Sequence, residues 1–118
     1  MNFTILLYEA KSDLARRTDP EQRAAYSAGW LAYTKALKEA GVFVTGSGLQ
    51  GPDTGTTLKL AGGQRLVQDG PYADTKEQLG GFYLIDVPSL DVALDWAARC
   101  PAATNGVIEI RPALPMQP

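Results

Sequence analysis

The sequence predicts an α+β fold in which two helices pack on one face of an antiparallel sheet. Its 118 residues suit a single domain, which we expect to span residues 1–118. Short apolar runs and two helical patterns follow one another in the order strand, helix, strand, hairpin, strand, helix, strand. Two strand-helix-strand units of this kind form a ferredoxin-like sandwich, in which the β-hairpin is an insertion.

The first unit begins with an apolar run at residues 3–8, which has the length and composition of a strand. Asp19, Pro20 and Gln22 then match a helix start, with a side-chain cap, a proline at the first helical position and a capping-box residue. Gly41 can end this helix in the left-handed region. Residues at three- and four-residue steps predict a core-facing stripe: Tyr26, Trp30, Tyr33, Leu37 and Ala40.

The middle of the chain is predicted to form strands and turns. Residues 42–50 predict a second strand that ends in glycines. Two further runs between residues 56 and 69 flank Ala61, Gly62 and Gly63, which is the pattern of a hairpin with a tight glycine turn. We therefore expect a hairpin between the second strand and the second helical unit.

The second unit begins with a strand at residues 81–87, and Pro88 and Ser89 then signal a helix start. Pro101 should stop that helix. Trp96 lies off the apolar stripe and needs another cover, which a partner surface could supply. The apolar stripe of this helix comprises Leu90, Ala93, Leu94 and Ala97.

The last predicted strand covers residues 107–111 and alternates in polarity. Ile108 and Ile110 face one way, and Glu109 and Arg111 face the other. Because both helices cover one face of the sheet, the other face stays open. An open face with apolar content favours a homodimer in which two sheets stack.

Composition narrows the classes of function. A net charge of −2 with interspersed signs offers no basic field, so we expect no direct nucleic-acid partner. No apolar run has the length to cross a bilayer, and the N-terminus lacks a targeting pattern, so we expect a cytoplasmic protein without membrane contact. Cys100 is the single cysteine and histidine is absent, so we expect neither a metal nor a cofactor, and Ser-His-Asp or Cys-His catalysis is excluded.

A glycine motif at residues 46–51 has the letters GSGLQG and matches the dinucleotide fingerprint. That fingerprint needs a helix to open beneath the pyrophosphate, whereas Pro52, Asp53 and Gly55 predict a continuing loop. We interpret these glycines as a turn or bulge at the end of a strand.

Residues 69–81, with the sequence DGPYADTKEQLGG, concentrate polar groups around one aromatic residue. Without histidine, proton chemistry would fall to the carboxylates, lysines and tyrosines, and Asp69, Asp74, Lys76 and Glu77 are the candidates. The structural alternative is a turn in which the Asp69 carboxylate caps backbone amides. Both interpretations stay open on the sequence alone.

The same stretch resembles the YCII-related family, in particular its DGPF subgroup. The hallmark Asp-Gly-Pro-Phe, followed by Lys-Glu, corresponds to Asp69, Gly70, Pro71, Tyr72 and then Lys76-Glu77. The resemblance extends over nearly the whole chain and implies a homodimeric α+β barrel with a cleft between sheet and motif loop. It also implies a link with extracytoplasmic-function sigma factors. This chain lacks the histidine of the dyad proposed as catalytic in the founding branch.

These observations lead to one functional hypothesis and two alternatives. We expect a homodimer that binds a small polar molecule in a cleft bounded by Asp69, Tyr72, Lys76, Glu77 and Arg111. The first alternative is an isomerase or lyase with Asp69 or Glu77 as base, in which Tyr72, Lys76 or Arg111 stabilises negative charge. The second alternative is a regulatory module for a sigma factor.

Overall fold

A computed structural model describes residues 1–115 and has a mixed α+β architecture with antiparallel sheets and three helices. The strands are β1 Asn2–Glu9, β2 Phe43–Gly48, β3 Thr56–Ala61, β4 Gln64–Asp69, β5 Gln78–Asp86 and β6 Val107–Pro112. The helices are α1 Lys11–Ala15, α2 Arg23–Glu39 and α3 Leu90–Ala98, and single 3-10 turns span Pro52–Thr54 and Pro101–Ala103.

Four strands form the main sheet in the order β2-β5-β1-β6, and every neighbouring pair is antiparallel. Strands β3 and β4 form a separate two-stranded sheet. The pairing of β1 with β5 shifts register between Leu7 and Tyr8, and Gly80 is the extra residue on β5 at that bulge. The bulge brings the end of β1 close to the backbone of β5.

The hydrophobic core lies on one face of the main sheet, beneath α2 and α3. Alternate side chains of β1 are buried there because successive residues of a strand point to opposite faces. Leu37 of α2 and Ala93 of α3 are fully buried against them. The sheet contributes these fully or nearly fully buried apolar side chains: Phe3, Ile5, Leu7, Tyr83 and Ile85.

The opposite face of the main sheet carries half-buried side chains, and within residues 1–115 no helix packs on it. Strand β6 pairs with β1 so that Glu109 lies opposite Leu6 and Arg111 lies opposite Thr4. Opposed residues of an antiparallel pair share a face. The predicted alternation of β6 is therefore confirmed, and Arg111 projects from the open face.

The start of the first long helix differs from the prediction. Asp19 caps a preceding turn instead, because its carboxylate accepts hydrogen bonds from the backbone N–H of Glu21 at 2.9 Å and from Gln22 Nε2 at 3.0 Å. Helix α2 begins at Arg23, and the short helix α1 precedes it in a segment for which the sequence predicts no helix. Gly41 has φ 74° and ends α2 as predicted.

Helix α3 confirms its predicted cap and corrects its predicted stripe. The Ser89 hydroxyl accepts a hydrogen bond from the backbone N–H of Val92 at 3.3 Å. Ala93 and Ala97 are buried as expected, whereas the other two stripe residues, Leu90 and Leu94, are half-exposed. Trp96 needs no partner surface, because it packs at the margin of the core with the Arg99 guanidinium 4.4 Å from its ring centroid.

The hairpin is confirmed, with Gly62 and Gly63 at positive φ in its turn. Nearly all its side chains are exposed, because the ribbon extends away from the main sheet and only Thr57 is half-buried. Its apolar residues share this exposure: Leu58 55%, Leu60 66%, Leu66 48% and Val67 61%. The hairpin therefore contributes no side chain to the core.

Candidate functional site

A cleft of about 900 Å³ lies between α2 and the β2–β5 side of the main sheet, and we call it the α2 cleft. Helix α2 provides one wall from Tyr26 to Lys38, a length of about 18 Å at 1.5 Å per residue. The other wall comes from β2, the start of β5 and the end of β1. Residues that line the cleft include Glu9, Arg17, Tyr26, Trp30, Thr34, Lys38, Phe43, Gly48 and Tyr83.

Glu9 forms the polar end of the α2 cleft and is 1% exposed. It is the last residue of β1, and the strand's alternation places it on the same face as Leu7. The Tyr26 hydroxyl donates a hydrogen bond to Glu9 Oε1, and Arg17 Nη2 donates to Oε2 at 2.7 Å. Each carboxylate oxygen therefore has a partner, as a buried charge requires.

Arg17 connects this end of the cleft to the sheet. Its Nε donates to the Tyr26 hydroxyl at 2.9 Å, and its Nη2 also donates to the carbonyl of Gly80 at 3.1 Å. Its Nη1 donates to the carbonyl of Leu49. The guanidinium uses its fixed fork of donors to hold Glu9, Tyr26 and two backbone segments in one geometry.

Gly80 is needed for the close approach of Glu9. A Cβ atom at this position would lie 1.9 Å from Glu9 Oε2 and 3.0 Å from Arg17 Nη2. Any larger residue would therefore displace the ion pair. The last two residues of the sequence stretch 69–81, Gly80 and Gly81, are the part of that stretch that lines the α2 cleft.

The electrostatics of this network keep Tyr26 protonated. Burial, followed by the hydrogen bond to Glu9, raises the pKa of the Tyr26 hydroxyl to about 12, against an opposing effect of Arg17. Burial lowers the pKa of the Arg17 guanidinium, but the hydrogen bond that Arg17 donates to Tyr26 and the charge of Glu9 outweigh this effect, so the pKa is raised. At neutral pH the polar end therefore holds a charged arginine and a neutral phenol whose single proton is donated to Glu9.

The middle of the cleft is aromatic. Tyr83 and Trp30 have their ring centroids 6.4 Å apart, and Phe43 lies 6.2 Å from Tyr83. The Thr34 hydroxyl shares a hydrogen bond with the Tyr83 hydroxyl at 2.5 Å. These residues give the cleft apolar walls with a few hydroxyl groups, as small-molecule sites commonly have.

The sequence predicts that a stripe of residues on α2, from Tyr26 to Ala40, faces the core. The structure corrects this prediction for three of the five residues. Tyr33 and Leu37 belong to the core, whereas Ala40 is exposed. Tyr26 and Trp30 are half-buried and line the cleft. The aromatic stripe therefore serves the core at one end and the cleft at the other.

The glycines of residues 46–51 line the cleft and do not open a helix, since a single 3-10 turn follows them. Gly46 is packed tightly, because an added Cβ would lie 2.8 Å from the Tyr83 ring. Gly48 shares the cleft-facing side of β2 with Gly46, and a Cβ there would meet nothing within 4 Å. A side chain at position 48 would therefore enter the cleft without disturbing the fold.

The predicted site residues lie elsewhere. Asp69, Tyr72 and Lys76 are exposed, with Tyr72 at 90%, and Glu77 is half-buried. None of them lines the α2 cleft, and neither does Arg111, which pairs with Glu109 on the open sheet face.

The turn at residues 69–71 does not depend on an aspartate cap. Within residues 1–115 no hydrogen bond to the Asp69 carboxylate is formed, so the capping expected from the sequence is wrong. Gly70 at φ 98° makes the turn, and its N–H donates to the carbonyl of Gly55 at 2.7 Å.

The sequence alone did not identify Glu9, Arg17 and Tyr26 as members of one site. A signal for Glu9 existed, because it continues the alternation of Phe3, Ile5 and Leu7 and therefore falls on the buried face. A carboxylate in that position needs a partner, which predicts a cation or hydroxyl nearby. Arg17 carried no comparable signal, since it lies in the connection between the first strand and α2.

Residues 1–115 contain no group of three or more Cys, Asp or Glu side chains placed to hold a metal ion. No helix in this part of the chain combines the length and apolar character that a membrane span requires.

Comparison with known proteins places this architecture in a class of small α+β domains. Residues 1–117 match the YCII-related domain, and the chain belongs to that family. It is 53% identical over 58 residues to an uncharacterized protein of Rhizobium meliloti (strain 1021), a match that covers 48% of this chain and 47% of that protein. The chain thus matches about half the length of this relative.

A solved structure has a similar fold. It is the 5-chloro-2-hydroxyhydroquinone dehydrochlorinase of Burkholderia phenoliruptrix, in complex with 2,5-dihydroxybenzoquinone. The TM-score is 0.55 with 20% sequence identity, and the match covers 97% of this chain and 94% of that one. At this identity the likeness concerns the fold alone.

Proposed function

We propose that this protein binds a small molecule in the α2 cleft, with Glu9, Arg17 and Tyr26 as the polar recognition group. The observation that carries the proposal is a carboxylate with 1% exposure in the wall of a cleft of about 900 Å³. A buried ion pair of this kind contributes little net stability compared with apolar packing, so its presence beside a cavity favours a role in recognition.

The chemistry of the cleft favours an aromatic or quinonoid ring that bears hydroxyl or carbonyl groups. Trp30, Phe43 and Tyr83 provide apolar walls, and the hydroxyl oxygens of Tyr26 and Thr34 are hydrogen-bond acceptors, since their protons are donated within the protein. The similar fold of a protein in complex with 2,5-dihydroxybenzoquinone supports this choice of ligand class.

The experiment measures binding of 2,5-dihydroxybenzoquinone and hydroquinone by isothermal calorimetry and thermal shift. Gly48→Leu should weaken binding, because a Cβ at this position meets no atom within 4 Å and the new side chain narrows the cleft. Thr45→Leu is the matched control, since Thr45 lies on the opposite face of the same strand and does not line the cleft. Failure of both probes to bind saturably, or unchanged binding by the Gly48→Leu variant, would refute the proposal.

We further propose a homodimer of ferredoxin-like sandwiches that stack through their open sheet faces as a dimeric α+β barrel. The strand order β2-β5-β1-β6 with two helices on one face supports the sandwich. The exposed apolar residues of the hairpin support association, and the radius of gyration of 16.0 Å exceeds the roughly 13.5 Å of a compact monomer of this length.

The site predicted around the DGPF-like motif is a second proposal, and it depends on the dimer. Asp69 and Glu77 as catalytic residues, with Tyr72 and Lys76 as ligand contacts, need a surface that covers them. A partner subunit is the candidate cover, with Arg111 reached across the open sheet faces. Membership of the DGPF subgroup remains a prediction of the family resemblance, and a single domain over residues 1–118 and a cytoplasmic location remain predictions from the sequence.

Carboxylate-based isomerase or lyase chemistry is a second candidate function. One observation favours it: Glu9 and Tyr26 place a buried carboxylate and a protonated phenol side by side in a cleft. An association with a sigma factor rests on the family resemblance and stays a prediction.

A further inference from the structure

The two cations that line the α2 cleft, Arg17 and Lys38, differ in how far their charges are already used. Arg17 pairs with Glu9 at 2.7 Å, and each of its three nitrogens donates a hydrogen bond within the protein. Its charge is therefore neutralised, and its donors are engaged before a ligand arrives. The polar end of the cleft offers hydrogen bonds but little net charge.

Lys38 lines the opposite end of the cleft. Its ammonium nitrogen lies 5.0 Å from the centroid of the Phe43 ring, which itself lines the cleft. This cation–π contact holds the flexible side chain at the cleft wall. The carboxylate of the neighbouring Glu39 instead pairs with Lys35 at 3.7 Å. In the part of the chain that the structure describes, Lys38 forms no salt bridge.

We propose that Lys38 is a specificity-determining residue that binds an anionic group at the end of the ligand remote from Glu9. This inference rests on the proposed function of the α2 cleft and names the ligand class more closely. The ligand is an aryl acid whose hydroxyl group donates a hydrogen bond to the Tyr26 oxygen and whose carboxylate meets Lys38.

The dimensions of the cleft set the shape of this acid. Tyr26 and Lys38 lie twelve positions apart on α2, which corresponds to about 18 Å along the helix axis. Side chains on a helix lean toward its N-terminus, so the Lys38 ammonium reaches back along the cleft. A single carboxylated ring is too short for both contacts, and a carboxylate on a chain of several carbons fits better.

The test uses a short homologous series of 4-hydroxyphenylalkanoates and their neutral carboxamides. We expect the wild-type protein to bind the best carboxylate about fivefold more tightly than its carboxamide, which is the advantage of one partly exposed ion pair. This preference should decrease as salt is raised, because salt screens an exposed charge.

Lys38→Met is the diagnostic variant, because it removes the charge and keeps an unbranched chain over Phe43. It should bind acid and amide equally, with an unchanged affinity for the amide. Lys35→Met is the matched control, since Lys35 lies on the same helix outside the cleft and should keep the full preference.

The outcomes separate the two proposals. Equal binding of acid and amide by the wild-type protein, or an equal loss of both in Lys38→Met, would overturn the role of Lys38 and leave the cleft as a binding site. Absence of binding across the series, together with no response to the hydroquinone and quinone probes, would overturn the proposed function and this inference with it.

Discussion

Two regions of the molecule contain the same residue types in opposite environments. The polar end of the α2 cleft has a carboxylate, a tyrosine and a cation in Glu9, Tyr26 and Arg17. The segment that begins with the last residue of the hairpin has the same three types in Asp69, Tyr72 and Lys76. Glu9 is 1% exposed, whereas Tyr72 is 90% exposed.

The difference lies in how each region is held. The first group is joined by hydrogen bonds across a strand, a loop and a helix, so its geometry is fixed before any ligand binds. The second group lies on a turn whose conformation depends on Gly70 and on backbone hydrogen bonds. Local sequence density of polar residues is therefore a poorer guide to a preorganised site than the pattern of burial along a strand.

The largest expected effect compares one carboxylate from each region. Glu9→Gln should lower the free energy of unfolding by about 3 kcal/mol, because it leaves the partly buried Arg17 without its counter-charge. Asp69→Asn should change it by less than about 0.5 kcal/mol, as an exposed substitution does. Urea unfolding measures both, and equal losses in the two variants would contradict the comparison.

Two glycines can be compared in the same way: Gly80 lies against the Glu9–Arg17 ion pair, whereas Gly48 lies in an open part of the cleft wall. Gly80→Ala should lower the free energy of unfolding by about 2 kcal/mol. Its Cβ would displace Glu9 from Arg17 and leave buried polar groups unpaired. Gly48→Ala should be neutral or slightly stabilising, since its Cβ meets no atom within 4 Å and restricts the unfolded chain. Thermal unfolding of both variants checks this, and a stable Gly80→Ala protein would show that Glu9 has room to move.

Tyr26→Phe should lower the free energy of unfolding by about 1 kcal/mol, because Glu9 and Arg17 each lose a hydrogen-bond partner. It should also change the dependence of stability on pH. The pKa of Tyr26 is about 12 in the folded protein and about 10 when unfolded, so its contribution is complete below pH 10.

That contribution is lost as the pH rises from about 10 through the folded value of about 12, because the unfolded tyrosine ionises first. The wild-type protein should therefore lose stability over this range more steeply than Tyr26→Phe. Parallel pH profiles from urea unfolding would show that the Tyr26 hydroxyl is not part of a buried network.

The smallest effect on folding is expected in the hairpin. Leu58, Leu60 and Val67 share one face of it by register, and all are exposed. Replacing all three with serine should leave the core and the binding of hydroquinone unchanged. If this face contacts a second copy, sedimentation velocity will show that the variant dissociates at concentrations where the wild-type protein is dimeric. Identical dissociation of both proteins would exclude the hairpin from the interface.

Much of the fold could be predicted because it follows from local patterns. The hairpin turn follows from Gly62 and Gly63, the α3 cap from Ser89, and the face of the last strand from the alternation of Ile108 and Ile110. The start of α2 was misplaced because Asp19 caps a turn that precedes the helix.

The α2 cleft could not be predicted from local patterns. Gly80 is 63 residues from Arg17 in the sequence, and it meets Glu9 and Arg17 only because β1 pairs with β5 through a bulge and α1 turns the chain back. The polar residues of the motif, by contrast, are adjacent in sequence and stand out when the chain is read. Contacts between distant segments depend on the register of strands, which the local pattern of one strand does not fix.

Gly48 has a consequence for how this cleft can diversify. It is a cleft-lining position with negative φ and open space around its Cβ, so the fold places little restriction on the residue found there. Substitutions at this single codon would shorten or reshape the ligand space and leave the Glu9 network and the core intact. We therefore expect a single mutation at position 48 to change the shape of the cleft without requiring a compensating change in stability.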